Sequence, residues 1–346
     1  MTAWTGRSSS RLRQTRREGA RKQAQRPALS HEHSDTDYLG KALRSSHLVH
    51  AVDQVTDPWC NVILRAAFLG TRQFDSFQQV TGIPRQTLSL RLSYLTQLGL
   101  LVRQAIDSKA ARHEYRLSDY GKALHGSVLA GWAWDRRWGD AMQAQLPTRL
   151  VHRDCSHAFQ PQLVCEHCGD PLSLQRVEPM HLRTHESPPP RTTRNRRWRN
   201  HGSDGATHEH DILAVIDDRW SVLIVAALML GASRYEQLLL MLEISSAVLS
   251  RRLQRLAALR IIAHLPDPAD ARRSLYLLDK AGQDLFAYLL TLAHWGGLTR
   301  PGADSIGWIH GGCGQRTKGR MRCSHCHGAL LPTGVERSSI RHRPPS

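Results

Sequence analysis

No stretch of this chain approaches the roughly 18 consecutive apolar residues that a membrane-spanning helix needs, which excludes such a helix. The first 30 residues carry eight Lys/Arg and no apolar core, so no secretory leader is expected. Cysteine is sparse: seven residues, an odd number, with six of them clustered, a pattern unlike a disulfide scaffold. Aromatics make up only 6% of residues, and lysine is outnumbered by arginine 41 to 6. Nucleotide-binding glycine loops, nucleophile elbows and paired carboxylates are also missing, so no enzymatic motif is present. What remains is a 346-residue chain, 40% hydrophobic, with a formal charge of +17. That length implies two or more domains.

Much of the positive charge lies in three segments without hydrophobic periodicity. Residues 1–37 hold eight Lys/Arg against four acids, 179–206 hold six Arg against two, and 337–346 hold three Arg and no acid. Rich in Ser, Pro and Arg, they read as two basic tails and a linker. Such charge supplies non-specific phosphate attraction or solubility, but no sequence recognition.

The chain is written twice. At an offset of 161, Trp59 matches Trp220, Gly70 matches Gly231, Leu88-Ser89 match Leu249-Ser250, and Arg91-Leu92 match Arg252-Leu253. Tyr115/Tyr276, Gly121/Gly282 and Trp134/Trp295 continue the match without a gap. Beyond it the offset becomes 158, and His152, Cys155, Cys165 and Cys168 fall on His310, Cys313, Cys323 and Cys326. Two copies of one unit, each ending in a Cys cluster, are expected.

Within a copy, residues 59–69 are almost wholly apolar and stop at Gly70, as a buried helix would. A short helix over 74–80 and the turn Thr81-Gly82-Ile83-Pro84 precede a third helix over 85–98. Its Leu88, Leu92 and Leu95 form one stripe. Gly99 ends it, and residues 100–103 and 113–117 read as a β-hairpin wing. Ser118 caps a long helix over 119–144 that bears Trp132, Trp134 and Trp138. The second copy repeats the plan, with a recognition helix over 246–259, a wing over 261–278, and a Trp-bearing helix over 280–298. The fold class is mainly α with small β-hairpin wings (α+β): two winged helix-turn-helix domains, each followed by a small Cys/His metal-binding module. Expected boundaries are 38–146 and 207–300 for the winged units and 147–178 and 301–336 for the metal modules.

The pattern Trp59-x(10)-Gly70, Phe74, Phe77, Ile83-Pro84, Leu88-Ser89-x-Arg91-Leu92-x-x-Leu95, Tyr115-Arg116-Leu117-Ser118 and Gly121 resembles the HxlR family of bacterial winged-helix regulators, relatives of the MarR-like regulators. The second copy keeps Trp220, Gly231, Tyr235, Leu249-Ser250-x-Arg252-Leu253, Tyr276 and Gly282. The resemblance implies sequence-specific binding to double-stranded DNA and control of transcription, usually by a homodimer of single units. Some relatives sense oxidants through a Cys about 13 residues before the Trp; Ser46 and Thr207 stand there here, which excludes that mechanism. Two units in one chain could instead form an intramolecular pseudo-dimer through their Trp-bearing helices. A cytoplasmic, nucleoid-associated location follows.

Rotation at 100° per residue from the Leu88 stripe turns Gln86, Ser89, Leu90 and Ser93 toward the major groove, and Ala247, Ser250, Arg251 and Gln254 in the second copy. Arg85 is placed for a phosphate contact. Arg91 and Arg252, flanking the stripe, are assigned either to phosphate or to an ion pair with a neighbouring helix. Arg112 and Arg273, on the wings, are assigned to phosphate or the minor groove.

Each copy ends in His-x2-Cys-x9-Cys-x2-Cys. The expectation is one structural zinc held by His152, Cys155, Cys165 and Cys168, and a second held by His310, Cys313, Cys323 and Cys326. His157, His167 and His325 lie near, but only the His three before the first Cys recurs in both copies. Four protein ligands leave no open position for catalysis. Two rival readings stay open: a redox-responsive regulator working through the Cys clusters, and a protein-interaction adaptor. Any small-molecule effector is undefined by sequence.

Overall fold

The computed structural model describes residues 32–105, 113–139, 146–147, 149–181, 211–268, 270–300 and 302–338. Arg112, most of the expected basic tails and nearly all of the Pro/Arg linker lie outside these residues.

The first copy opens with α1 (Glu32–Arg44) and α2 (His47–Val55), so helix begins inside the segment read as a basic tail. The helix-turn-helix follows as α3 (Pro58–Phe68), α4 (Phe74–Thr81) and α5 (Arg85–Gln97), with the wing β1 (Leu101–Ala105) and β2 (His113–Leu117) behind it. Asp57 caps α3 by accepting from the Cys60 amide, and Pro58 occupies its first turn, where a missing N–H costs nothing. Leu88, Leu92 and Leu95 of α5 are fully buried, as the stripe requires.

The expected long Trp-bearing helix is instead two helices, α6 (Asp119–Lys122) and α7 (His125–Trp138). Ser118 does cap α6, accepting from the Gly121 amide at 2.9 Å. A Cβ on Gly121 would fall onto the Leu100 carbonyl oxygen, so only glycine lets α6 seat against the root of the wing. The metal module then comprises β3 (Arg149–His152), β4 (His157–Phe159), β5 (Pro161–Cys165) and β6 (Val177–His181).

The second copy runs α8 (Leu213–Ile216), α9 (Arg219–Met229), α10 (Tyr235–Leu242), α11 (Ser246–Ala258), β7 (Ile262–Asp267), β8 (Asp270–Leu278), α12 (Lys280–Asp284) and α13 (Phe286–Gly296). Its metal module is β9 (Ile306–His310), β10 (Gly319–Cys323) and β11 (Val335–Ser338). The helix-and-break pattern of the first copy recurs, and Gly282 meets the Ile261 carbonyl as Gly121 meets Leu100.

The two copies pack on each other reciprocally. The Trp134 indole donates to the Ala281 carbonyl at 2.8 Å, and the Trp295 indole donates to the Tyr120 carbonyl at 3.0 Å. Both donor and acceptor pairs are related by the same 161-residue offset, the signature of an isologous, two-fold contact. Helices α7 and α13 lie together at its centre, and α13 also packs on α2. One continuous apolar core runs through both copies.

The metal modules are knitted by strand exchange. Strand β5 pairs antiparallel with β10, and Leu163 faces its own repeat counterpart, Met321. Strand β6 of the first copy pairs with β9 of the second, Val177 opposite His310. Strand β11 returns to β3, Val335 opposite His152.

Candidate nucleic-acid interface and metal centres

Helix α5 shows solvent the face opposite its leucine stripe. Gln86, Ser89, Leu90 and Ser93 are all exposed, Leu90 by 53%. Arg85 stands exposed at the start of α5, 3.1 Å from Asp75 and over the Phe74 ring. In α11, Ala247, Arg251 and Gln254 are exposed, whereas Ser250 is half-buried because Tyr235 reaches it at 2.9 Å. Arg273 is exposed on β8 and pairs with Asp270 at 3.4 Å. The two outward faces differ: the first is neutral, the second carries Arg251.

Arg91 and Arg252 do not belong to that surface. Arg91 is 8% exposed and grips Asp57 through Nε at 3.0 Å and through a terminal nitrogen at 2.9 Å. Arg252 Nε lies 2.7 Å from Asp218, which caps α9 by accepting from the Ser221 amide. Both arginines therefore lock the recognition helix onto the N-terminus of the first helix of the motif. Of the two readings, the ion pair with a neighbouring helix is the contact that the structure holds. Flanking a buried stripe puts a long side chain at the helix–helix seam, where a carboxylate at the neighbouring helix end wins over solvent, two-pronged in the case of Arg91. The repeat held the signal, since Asp57 and Asp218 stand 161 apart, two residues before each matched Trp.

Cys60 sits fully buried in α3, and burial pushes its thiol well above the usual range, as expected of an inert core thiol.

The four-residue metal sets are crossed between copies. His152 and Cys155 gather with Cys323 and Cys326, and His310 and Cys313 gather with Cys165 and Cys168, the ligand atoms of each set lying within 4.8 Å of one another. This corrects the expected grouping by copy, although all eight residues are used. The reason is the strand exchange: β5–β10 and β6–β9 pairing carries each Cys-x2-Cys knuckle across to the other copy's His-x2-Cys turn.

In the first set, His152 Nδ1 is 3.2 Å from Cys326 Sγ and 3.6 Å from Cys155 Sγ. In the second, His310 Nδ1 is 3.3 Å from Cys168 Sγ and 3.5 Å from Cys313 Sγ, and Cys165 Sγ is 3.9 Å from Cys313 Sγ. Zn–S bonds of about 2.3 Å and Zn–N bonds of about 2.0 Å give tetrahedral edges of roughly 3.5–3.8 Å, so three thiols and an imidazole at these separations fit one tetrahedral ion. Asp154 lies 3.4 Å from His152 Nε2 without a hydrogen bond to it. Both histidines are 1% exposed. His157 and His325 instead stack on each other at 3.8 Å on the exposed rim, beside Cys155.

The thiols are tuned unevenly. Burial raises Cys165, but the Thr317 hydroxyl and the backbone amides of Cys168 and His167 outweigh it and draw the thiol down to about 6. The Gly328 amide, against burial, draws Cys326 down to about 7.

The HxlR-like helix-turn-helix family matches residues 54–143 and again 215–302. The uncharacterized HTH-type transcriptional regulators Rv3095 and MT3179 of Mycobacterium tuberculosis are each 36% identical over 129 residues, 37% of this chain and 81% of their own length. Among solved structures, PA1607, a candidate transcription factor, is 31% identical with a TM-score of 0.32, covering 36% of this chain and 86% of its own.

Proposed function

Starting from a chain that belongs to the HxlR-like helix-turn-helix family and is a DNA-binding transcriptional regulator, we propose that one polypeptide supplies both halves of a dimeric reader and grips an asymmetric operator. The observation that carries this reading is the reciprocal Trp134–Ala281 and Trp295–Tyr120 contact, which ties two differently faced recognition helices into one two-fold frame. In this reading Gln86, Ser89, Leu90 and Ser93 meet one half-site, and Ala247, Arg251 and Gln254 the other, with Ser250 at the edge beside Tyr235. Gln suits adenine, Arg251 suits guanine, and Leu90 or Ala247 suits a thymine methyl, each good contact discriminating by about 1–3 kcal/mol. Arg85, Arg112 and Arg273 meet the phosphate backbone, whose contribution falls with salt. The protein works in the cytoplasm on the nucleoid and catalyses no reaction.

Zinc is the ion proposed for both crossed sites. Three thiolates and one imidazole suit it, and a closed ligand set makes it structural. The residues that would hold it are His152, Cys155, Cys323 and Cys326, and His310, Cys313, Cys165 and Cys168.

Selection of randomised duplexes by the full chain tests the proposal. Two unlike half-sites are expected, with Arg251→Ala relaxing preference in one half only. A perfect palindrome would overturn it.

A further inference from the structure

The copies differ most in their interior. In the first, a cavity of about 120 Å³ lies between α3, α7 and the β3–β11 ladder, with Ile212, Ile216 and Tyr288 of the second copy closing it. Its walls are mainly apolar, Phe68 and Trp132 among them. Four polar side chains line it while almost wholly buried: Asn61, which donates to Asp217; Asp135, which accepts from the Ile212 amide; and His125 and Ser127, 5% and 3% exposed. Neither His125 Nδ1 nor Ser127 Oγ has a hydrogen-bond partner among the described residues. The backbone of Leu330 engages the His125 ring, and burial holds that ring neutral, with its pKa lowered to about 4. A neutral imidazole that donates through one nitrogen offers the other as an acceptor. Buried polar atoms left unmet are costly, and each calls for an explanation.

The second copy supplies the comparison. Its equivalent space is only about 40 Å³. Phe286 stands at the repeat position of His125, Trp308 at that of Leu150, and Ala226 at that of Arg65. Phe286 and Trp308 meet edge to face, 5.1 Å between centroids. The exchange runs both ways, since Phe68 and Trp132 stand where the second copy has Met229 and Ala293, and its net result is a larger space in the first copy with an acceptor and a hydroxyl beside it.

We infer that the first-copy cavity is a binding site for a small single-ring aromatic alcohol of the phenol class, its ring in the space that the second copy fills with its own side chains and its hydroxyl toward His125 Nδ1 and Ser127 Oγ. An apolar cavity of about 150 Å³ in another protein core takes up benzene, so one ring is the size limit here. The hydrogen-bonding pair sets the class: a pocket with an unmet acceptor favours a ligand that donates over an isostere that cannot. The inference concerns binding alone and stands whether or not the operator is asymmetric.

The test is calorimetric titration of the full, metal-loaded chain with phenol and, separately, with toluene. Saturable phenol binding at one site per chain is expected, at least about tenfold tighter than toluene, as loss of one buried hydrogen bond implies. His125→Phe, which copies the second unit, abolishes binding, and Ser127→Ala weakens it several-fold. Circular dichroism establishes that each variant folds; should His125→Phe not fold, Ser127→Ala and the phenol-to-toluene ratio decide. No phenol binding, equal affinity for the two ligands, or binding unchanged in the folded variants would overturn the inference.

Discussion

The two copies share their framework and differ in everything that framework leaves free. Gly121 and Gly282 sit against repeat-equivalent carbonyls, Arg91 and Arg252 hold repeat-equivalent aspartates, and Trp134 and Trp295 reach across to repeat-equivalent acceptors. These positions are fixed because each lies where two backbones or two helix ends meet closely. The recognition faces, the cavity and the loop glycines have diverged. A duplicated chain can therefore keep its two-fold packing while specialising its halves, one with an open polar-edged cavity and a neutral reading face, the other with a filled core and a basic one.

The largest expected effect concerns what the halves share, the crossed metal sets. Cys155→Ser with Cys326→Ser removes two ligands from a single site and leaves one zinc per chain. Cys155→Ser with Cys165→Ser removes one ligand from each site and loses both ions. Grouping by copy predicts the reverse, so metal content by mass spectrometry breaks or confirms the crossing. Because the sites bridge the copies, chelation is also expected to unfold the strand-exchanged module; structural zinc is worth about 10–16 kcal/mol in isolated finger peptides, an upper bound here.

A smaller effect separates the buried histidines. His125 in the first copy and His294 in the second both have pKa values lowered to about 4, chiefly by burial. Arg337 lowers His125 further while the Leu330 backbone raises it; Lys318, His47 and Arg316 lower His294 while the Gly319 backbone raises it. A folded pKa below the unfolded 6.5 means that the unfolded chain binds the proton first. Each histidine's contribution is thus intact above about pH 6.5 and is lost as pH falls toward 4, by up to about 3 kcal/mol each. Urea unfolding across that range should show a smaller loss in His125→Phe; an unchanged slope would contradict the assignment.

The smallest effect lies at the end of the recognition helices. Gly99 adopts φ 73° after α5, and Arg260 adopts φ 56° after α11. A left-handed conformation costs an ordinary residue roughly 1–2 kcal/mol, partly offset by glycine's greater freedom when unfolded. Gly99→Ala should destabilise by about 1 kcal/mol, and Arg260→Gly should be neutral or slightly stabilising, both read by thermal unfolding.

Much of this was legible before any coordinates. The duplication, the helix-turn-helix, the wings, the buried leucine stripes, the Ser118 cap and the eight Cys/His positions follow from periodicity, turn chemistry and spacing, which are local properties. The outward faces at 86, 89, 90 and 93 follow from helical rotation alone. Arg91 and Arg252 were open to two readings because rotation puts them at the edge of the stripe, and only the neighbouring helix end selects one. The cavity was invisible, since His125 and Ser127 are ordinary helix residues until three segments distant in sequence close around them.

The order of residues thus settled which faces are buried and which side chains can bind metal. Tertiary packing settled against which copy. Two copies with the same His-x2-Cys and Cys-x2-Cys spacing offer each cysteine knuckle the same chemical match within its own copy or across to the other, so spacing cannot discriminate between them. The choice comes from burying α7 against α13 on the two-fold, which brings β5 beside β10 and carries every ligand pair over to the opposite half.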